Sequence, residues 1–262
     1  MAGKENDSFE MARVLGPVDV LLAGRPTGLG GRLERTLFAA LALSANHAVS
    51  ADQLAAILWQ AAPPPSRDNT LQTYVSRLRH LVGHDRIRSV DHSYVLEVAP
   101  AEVDAVIFER LASEAASDRA EASRCLELAT DALDLWRGVP FGELAEFDPF
   151  RLEAIRLDEI RLFVVELRLA SEIALGREDL VVGALEALAD EYPYRERIWH
   201  LLISALALCG RRTEALRSYQ DLRGRLGEIG LQPIPELRLL EQVIINENGD
   251  PRLGVHPPPG PR

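Results

Sequence analysis

The stretch Asp68-Asn69-Thr70-Leu71-Gln72-Thr73-Tyr74-Val75-Ser76-Arg77-Leu78-Arg79-His80-Leu81-Val82 decides how this chain is read. Leu71, Val75, Leu78 and Val82 recur at steps of four, three and four. That spacing stacks side chains on one side of an α-helix and predicts a helix from about Asp68 to Val82 with the apolar stripe turned inward. Thr70, Thr73, Arg77 and His80 then share the opposite side, flanked by Gln72, Ser76 and Arg79. Side chains of these types hydrogen-bond base edges and phosphate oxygens, and a helix is an element that the DNA major groove admits.

The flanking sequence supports that reading. Upstream, Val14 to Leu22 is apolar and β-branched with a Gly-Pro turn inside it, which predicts one or two short strands. Ala23 to Gly31 reads as a Gly-rich turn region. Leu33, Leu37, Ala40 and Leu41 mark a first helix over Arg32 to Ala45. Ser50 and Gln53 have capping-box spacing before a second helix with Leu54, Ile57 and Leu58 buried, ending at Trp59. A loop containing Pro63, Pro64 and Pro65 leads to the third helix. Downstream, Arg86 to Val90 and Tyr94 to Val98 predict two strands of a hairpin joined by Asp91-His92-Ser93. Strands, three helices and a hairpin make a winged helix-turn-helix over residues 1–103.

Charge follows the same division. The chain of 262 residues has a net charge of −11. Residues 1–103 carry 10 basic and 11 acidic side chains, a balance of −1, and the remaining 19 and 29 leave −10 beyond them. Between Arg67 and Arg88, five arginines (Arg67, Arg77, Arg79, Arg86 and Arg88) face only Asp68 and Asp85, a local +3. Screening makes such local charge count for more at a phosphate than distant acid does.

From Asp104 the pattern is helix upon helix: Val106, Leu111 and Ala115, then Leu126 to Trp136, then Ile160, Phe163, Val164, Leu167 and Ala174. Gly176-Arg177 recurs 34 residues later as Gly210-Arg211, with Val181 shifted onto Ala215, Leu185 onto Tyr219 and Leu188 onto Leu222. Thirty-four is the tetratricopeptide period, and Trp199, Leu202 and Leu206 suit that two-helix unit. The expected fold is mainly α: a winged helix followed by an all-α tetratricopeptide-like domain over 104–247, with a disordered Pro- and Gly-rich tail over 248–262.

Cys125 and Cys209 lie in apolar helical patterns and read as buried, reduced thiols of a cytoplasmic protein. The first ten residues lack the apolar core of a signal peptide, and no apolar run is long enough for a membrane span. No metal-ligand spacing, HExxH run, GxSxG elbow or GxxxxGK[ST] loop occurs, so neither enzyme chemistry nor a cofactor is expected.

Thr70 to Arg79 resembles the recognition helix of the Streptomyces antibiotic regulatory proteins, whose N-terminal domain is an OmpR-type winged helix. Asp104 and Phe108, Leu135-Trp136-Arg137-Gly138, Pro193-Tyr194-Arg195-Glu196-Arg197-Ile198-Trp199, Gly210-Arg211, Ala215-Leu216 and Leu231-Gln232-Pro233 follow in the order of that family's bacterial transcriptional activation domain. The resemblance implies an activator of secondary-metabolite gene clusters that binds promoter direct repeats near the −35 region and contacts RNA polymerase holoenzyme through its sigma factor, with possible self-association on DNA. Longer relatives append an ATPase or a phosphopeptide-binding module. Arg77 matches a base-contacting arginine, and Thr70, Thr73 and Arg79 match positions near phosphates or bases. The hairpin departs from the family, which usually has an arginine and a glycine run before the tyrosine. Here Val90 and Asp91-His92-Ser93 stand there, and Asp91 repels phosphate, which leaves Arg86, Arg88 and His92 to compensate. The competing reading is a helical-repeat adaptor whose winged helix binds protein instead of DNA.

Overall fold

Alternating burial draws the first strands together: β1 (Phe9–Arg13) pairs antiparallel with β2 (Asp19–Leu22), and β2 with β3 (Arg25–Thr27). The computed structural model describes residues 9–60, 62–246, 249–252 and 254–255. The chain divides into two compact units, residues 1–110 with 134–160 and residues 111–133 with 161–262.

In the first unit, α1 (Arg32–Leu43), α2 (Ala51–Trp59) and α3 (Arg67–Val82) pack on one another, each turning its apolar stripe inward. Leu37, Phe38 and Leu41 of α1, Leu54 of α2, and Leu71, Val75, Leu78 and Val82 of α3 are all buried, the last four as their spacing predicts. The expected cap of α2 is present: the Gln53 N–H donates to Ser50 Oγ and the Ser50 N–H donates to Gln53 Oε1, both at 3.1 Å. The hairpin consists of β5 (Ile87–Val90) and β6 (Ser93–Leu96), and β4 (Val49–Ser50) completes a sheet in the order β4-β6-β5. Val90 pairs with Ser93, so the loop is the two residues Asp91 and His92, not three. Both have positive φ, 41° and 58°, the backbone of a primed turn whose twist suits paired strands.

Two parts of the sheets differ from expectation. The apolar run from Val14 is not itself a strand. Val14 to Val18 connects β1 to β2, and β1 begins at Phe9. Residues 25–27, expected as turn, form β3, because edge pairing with β2 accommodates Pro26 without the interior ladder that proline cannot supply.

The connection at Val14–Val18 is held by Asp104, the first residue of α4 (Asp104–Ser117). Its carboxylate is 1% exposed and accepts the N–H of Val14 at 2.8 and 2.9 Å, of Leu15 at 3.0 Å and of Ala105 at 2.8 Å. Arg137 adds its charge at 3.4 Å. The backbone near Arg137 runs beside the same connection: the Arg137 N–H donates to the Leu15 carbonyl at 2.8 Å, and the Phe141 N–H to that of Val14 at 2.7 Å. A β-carbon on Gly16, whose φ is +151°, would stand 2.9 Å from Arg137 Cβ, so the approach requires glycine. These bonds tie the start of residues 134–160 to the first unit.

The second unit is built from the latter half of α4, α5 (Ala122–Asp134), α6 (Phe150–Ala174), α7 (Glu178–Glu191), α8 (Glu196–Leu208), α9 (Arg212–Glu228) and α10 (Pro235–Asn246), except that the last residue of α5 and the opening turns of α6 belong to the first. The 34-residue period is visible in its backbone. Gly176 and Gly210 have φ of 77° and 75°, and the residue after each donates to the carbonyl five positions back, Arg177 to Glu172 at 3.0 Å and Arg211 to Leu206 at 2.9 Å. These are matching glycine-terminated helix ends. Val181, Leu185, Ala215, Tyr219 and Leu222 are buried beside Trp199, Leu202 and Leu206, with Leu188 packed against them. Cys125 is buried, but Cys209 is the C-cap of α8 and only half-buried. Burial pushes both thiols above the ordinary cysteine value, away from reactivity.

The expected disordered tail is corrected where it is described. Val255 is 4% exposed within the core of the helical unit, and Arg197 donates to the carbonyls of Gly254 and Val255. Residues 247, 248, 253 and 256–262 lie outside the described residues. Among the described residues no helix is long and apolar enough to cross a membrane, and no group of histidine, cysteine and acidic side chains has the arrangement of a metal site.

Replacing Asp104 by Asn turns a carboxamide donor toward backbone N–H groups that need an acceptor. Urea denaturation of Asp104→Asn should show a loss of about 2 kcal/mol, the cost of an unsatisfied buried hydrogen-bonding group. Unchanged stability would mean that the carboxylate does not anchor the connection.

Candidate nucleic-acid interface

Burial of one stripe of α3 sends the other side outward. Gln72, Thr73, Ser76, Arg77 and His80 are exposed, and Arg67, Thr70 and Arg79 are half-exposed. On the hairpin, Arg88 and His92 are exposed while Arg86 is half-buried. The residues expected to act together on α3 do share a surface.

Each arginine has its own partner. Arg77, 62% exposed at its side chain, places Nη1 at 2.8 Å from Glu34 Oε1 and its guanidinium 5.9 Å from the centre of the Tyr74 ring. Glu34 is 8% exposed and sits three residues into α1, where its other oxygen accepts the Gly31 N–H at 2.5 Å. A β-carbon on Gly30, at φ +84°, would come within 2.7 Å of that oxygen, so Gly30 leaves room for the carboxylate. The Arg77 hydrogen bond holds the Glu34 carboxyl below the ordinary glutamate value against the opposing effect of burial, and it raises Arg77 in return. The pattern of α3 gives no sign of Glu34. The available signal is its place three residues after Gly31, that of a capping-box acid.

Arg79 donates from Nε to the Ile87 carbonyl at 2.8 Å and from Nη2 to Ser89 Oγ at 2.9 Å, which fastens β5 to α3. Arg86 grips both oxygens of Glu102 at 2.6 and 2.7 Å and lies over the Phe9 ring at 5.1 Å. Its charge is therefore used within the unit, and Arg86 does not join the outward surface expected of it. Arg67 pairs with Asp52 at 2.9 Å, and Arg88 with Glu97 at 3.0 Å. These last two pairs are exposed, and exposed pairs contribute at most about 1 kcal/mol. Thr70 and Thr73 return their hydroxyls to the carbonyls of Ser66 and Asn69 at 3.0 and 2.8 Å. His80 meets His84 edge-on at 5.1 Å between ring centres. Val90 and Asp91 are exposed at the hairpin tip beside His92, so the acid expected to weaken the wing does face solvent.

The surface offers donors and hydroxyls on a helix, with a two-residue hairpin turn beside it. Sequence and structural relatives share this organisation. Residues 28–95 match the family described as transcriptional regulatory protein, C terminal, and residues 103–245 match the bacterial transcriptional activator domain. The chain is 32% identical to the regulatory protein DnrI of Streptomyces peucetius, over 95% of this chain and 96% of that one. It is 35% identical to the transcriptional regulator RedD of Streptomyces coelicolor, over 92% of this chain and 71% of the relative. Among solved structures, Mycobacterium tuberculosis EmbR in complex with a low-affinity phosphopeptide superposes with a TM-score of 0.86 at 27% identity, covering 95% of this chain and 69% of EmbR.

The pair on α1 and α3 has a measurable signature. A carbon-detected NMR titration should give Glu34 a lower midpoint in the unaltered chain than in Arg77→Met. Because its folded value lies below the unfolded one, its contribution to stability is complete above about 4.3, the ordinary glutamate value, and is lost as pH falls through the lower folded value. A midpoint that ignores Arg77→Met would show that the pair does not form in solution.

Proposed function

Because this chain belongs to the Streptomyces antibiotic regulatory protein family of transcriptional activators, we propose that it binds promoter direct repeats through its winged helix and recruits RNA polymerase holoenzyme, sigma factor included. The regulated genes are those of a secondary-metabolite cluster, and the protein acts in the cytoplasm. One observation carries this reading: the polar side of α3, opposite the buried stripe, is exposed from Gln72 to His80 with the hairpin alongside.

In this mechanism α3 enters the major groove. Arg77 exchanges or shares Glu34 for the acceptors of a guanine edge, and Gln72, Thr73, Ser76 and His80 contact bases or phosphates that set register. Arg67, Thr70, Arg88 and His92 lie at the margin, where they meet the phosphate backbone. Arg79 holds the hairpin against the helix and so aims both. Residues 1–103 carry the DNA-binding role and 104–247 the protein-binding one. The balance of −10 beyond residue 103 suits a basic protein surface and disfavours stray DNA contact. Direct repeats call for head-to-tail self-association on DNA, which requires no symmetric dimer in free solution.

Gel-shift titration distinguishes the roles. Arg77→Ala should cost about 1–3 kcal/mol on the operator and little on scrambled duplex, whereas Arg88→Ala should weaken both alike and flatten the salt dependence. Equal losses on both sequences for Arg77→Ala would remove Arg77 from base readout. A chain with no salt-dependent duplex affinity at all would favour the adaptor reading. For recruitment, nuclease footprints of the promoter should show polymerase protection only when the full chain is added. Protection independent of the protein would refute it.

A further inference from the structure

The helical unit contains a second arrangement of polar groups that the DNA reading does not use. Arg197, on the first turn of α8, directs Nη1 to the Gly254 carbonyl and Nη2 to the Val255 carbonyl, the latter at 2.6 Å. Two consecutive backbone acceptors are thus held by one guanidinium. Gly254, at φ +80°, lies against the imidazole of His200, and a β-carbon there would stand 2.9 Å from Nε2. His200 itself is 2% exposed. One residue on, Val255 is buried in the same apolar cluster as Ile198, Leu201, Leu237 and Leu240. The turn is closed by the Val255 N–H donating to the Arg252 carbonyl at 3.0 Å.

A segment that simply covered a core would do so through its side chains. Here the polar contacts are to carbonyls, which any sequence possesses, and two positions constrain the side chains: a residue without a β-carbon beside His200, then a β-branched side chain buried in the apolar cluster. Main-chain hydrogen bonds for affinity and a pocket for one side chain are how peptide sites divide their work. Burial pushes the Arg197 guanidinium down to about 10, with the nearby Glu166 opposing, so the charge is poorly hydrated. Glu166 also pairs with Arg195, at 2.7 Å.

We propose that Arg197, His200 and the apolar pocket around Val255 form a peptide-binding site for a Gly-Val type segment with two consecutive free carbonyls, a site that the chain fills with its own Gly254-Val255 and that a partner protein's segment of the same form can occupy in its place. The site stands independently of the DNA-binding reading. It makes residues 254 and 255 a tethered competitor, present at an effective concentration that a free peptide must overcome.

The probe is a fluorescein-labelled peptide of residues 249–258, GDPRLGVHPP, titrated in anisotropy against the full-length chain. Val255→Lys in the full chain places a charge that can neither be buried nor tolerated beside Arg197, and so vacates the site. The peptide should bind Val255→Lys about tenfold or more tightly than the unaltered chain, as release of a tethered competitor requires. Adding Arg197→Met, or changing valine to lysine in the peptide, should remove at least that gain. Far-UV circular dichroism checks that the helices persist. If Val255→Lys unfolds the chain, Gly254→Leu vacates the site by collision with His200 and gives the same readings. Equal binding to occupied and vacated chains, binding indifferent to Arg197→Met, or no binding to a folded vacated chain would overturn the proposal.

Discussion

A buried carboxylate tolerates few surroundings, and Asp104 occupies a site that meets the need with backbone. Its oxygens accept from Val14, Leu15 and Ala105, and Arg137 stands beside it. Burial pushes this carboxyl above the ordinary aspartate value, and those donors and Arg137 offset only part of the rise. The ion pairs continue outward from there, since Arg137 also reaches Asp19 at 3.5 Å and Asp19 pairs with Arg13 at 2.6 Å. One charge thereby fixes the connection between β1 and β2, the start of α4 and the return of residues 134–160. The glycine at 16 and the left-handed backbone of Phe141 follow from how closely those segments approach. Trp136, edge-on to Phe108 at 5.2 Å, packs the same region with apolar surface.

Upon that base, α3 serves two purposes that pull its residues in opposite directions. Its stripe of Leu71, Val75, Leu78 and Val82 must be dry, and its other side must carry cations in solvent. The structure meets the second demand by giving the helix's cations acceptors of their own, Glu34 for Arg77 and the β5 backbone and Ser89 for Arg79, and it does the same for Arg86 beyond the helix with Glu102. How exposed each pair is decides what it does. Arg86 is shielded, oriented from both ends and structural. Arg77 remains mostly in solvent, so its pairing orients the guanidinium without confining it.

Much of this is legible without the fold, and for definable reasons. Helical periodicity locates α1, α2 and α3 within a residue or two, and Ser50 with Gln53 locates the start of α2, because both are local properties of the chain. The shared Gly-Arg pair likewise announces the repeated helix ends at 176 and 210. The strands β3 and β4, with three and two residues, carry no period long enough to read. Glu34 escapes a reading by pattern because its importance lies 43 residues away at Arg77. Arg86 looks outward from sequence because nothing adjacent to it reveals Glu102 as its partner.

The amino-acid sequence by itself determined which residues of α3 turn inward, where the first three helices start and stop, and which family the chain resembles. Those follow from side-chain spacing, capping and order along the chain, and each is settled within a few turns of backbone. Tertiary structure alone decided which arginines remain available, that residues 134–160 join the winged helix, and that Gly254 and Val255 lie against α8. Such matters depend on charges and carbonyls that meet only after distant segments pack, and a charge is assigned its role by the partner nearest in space.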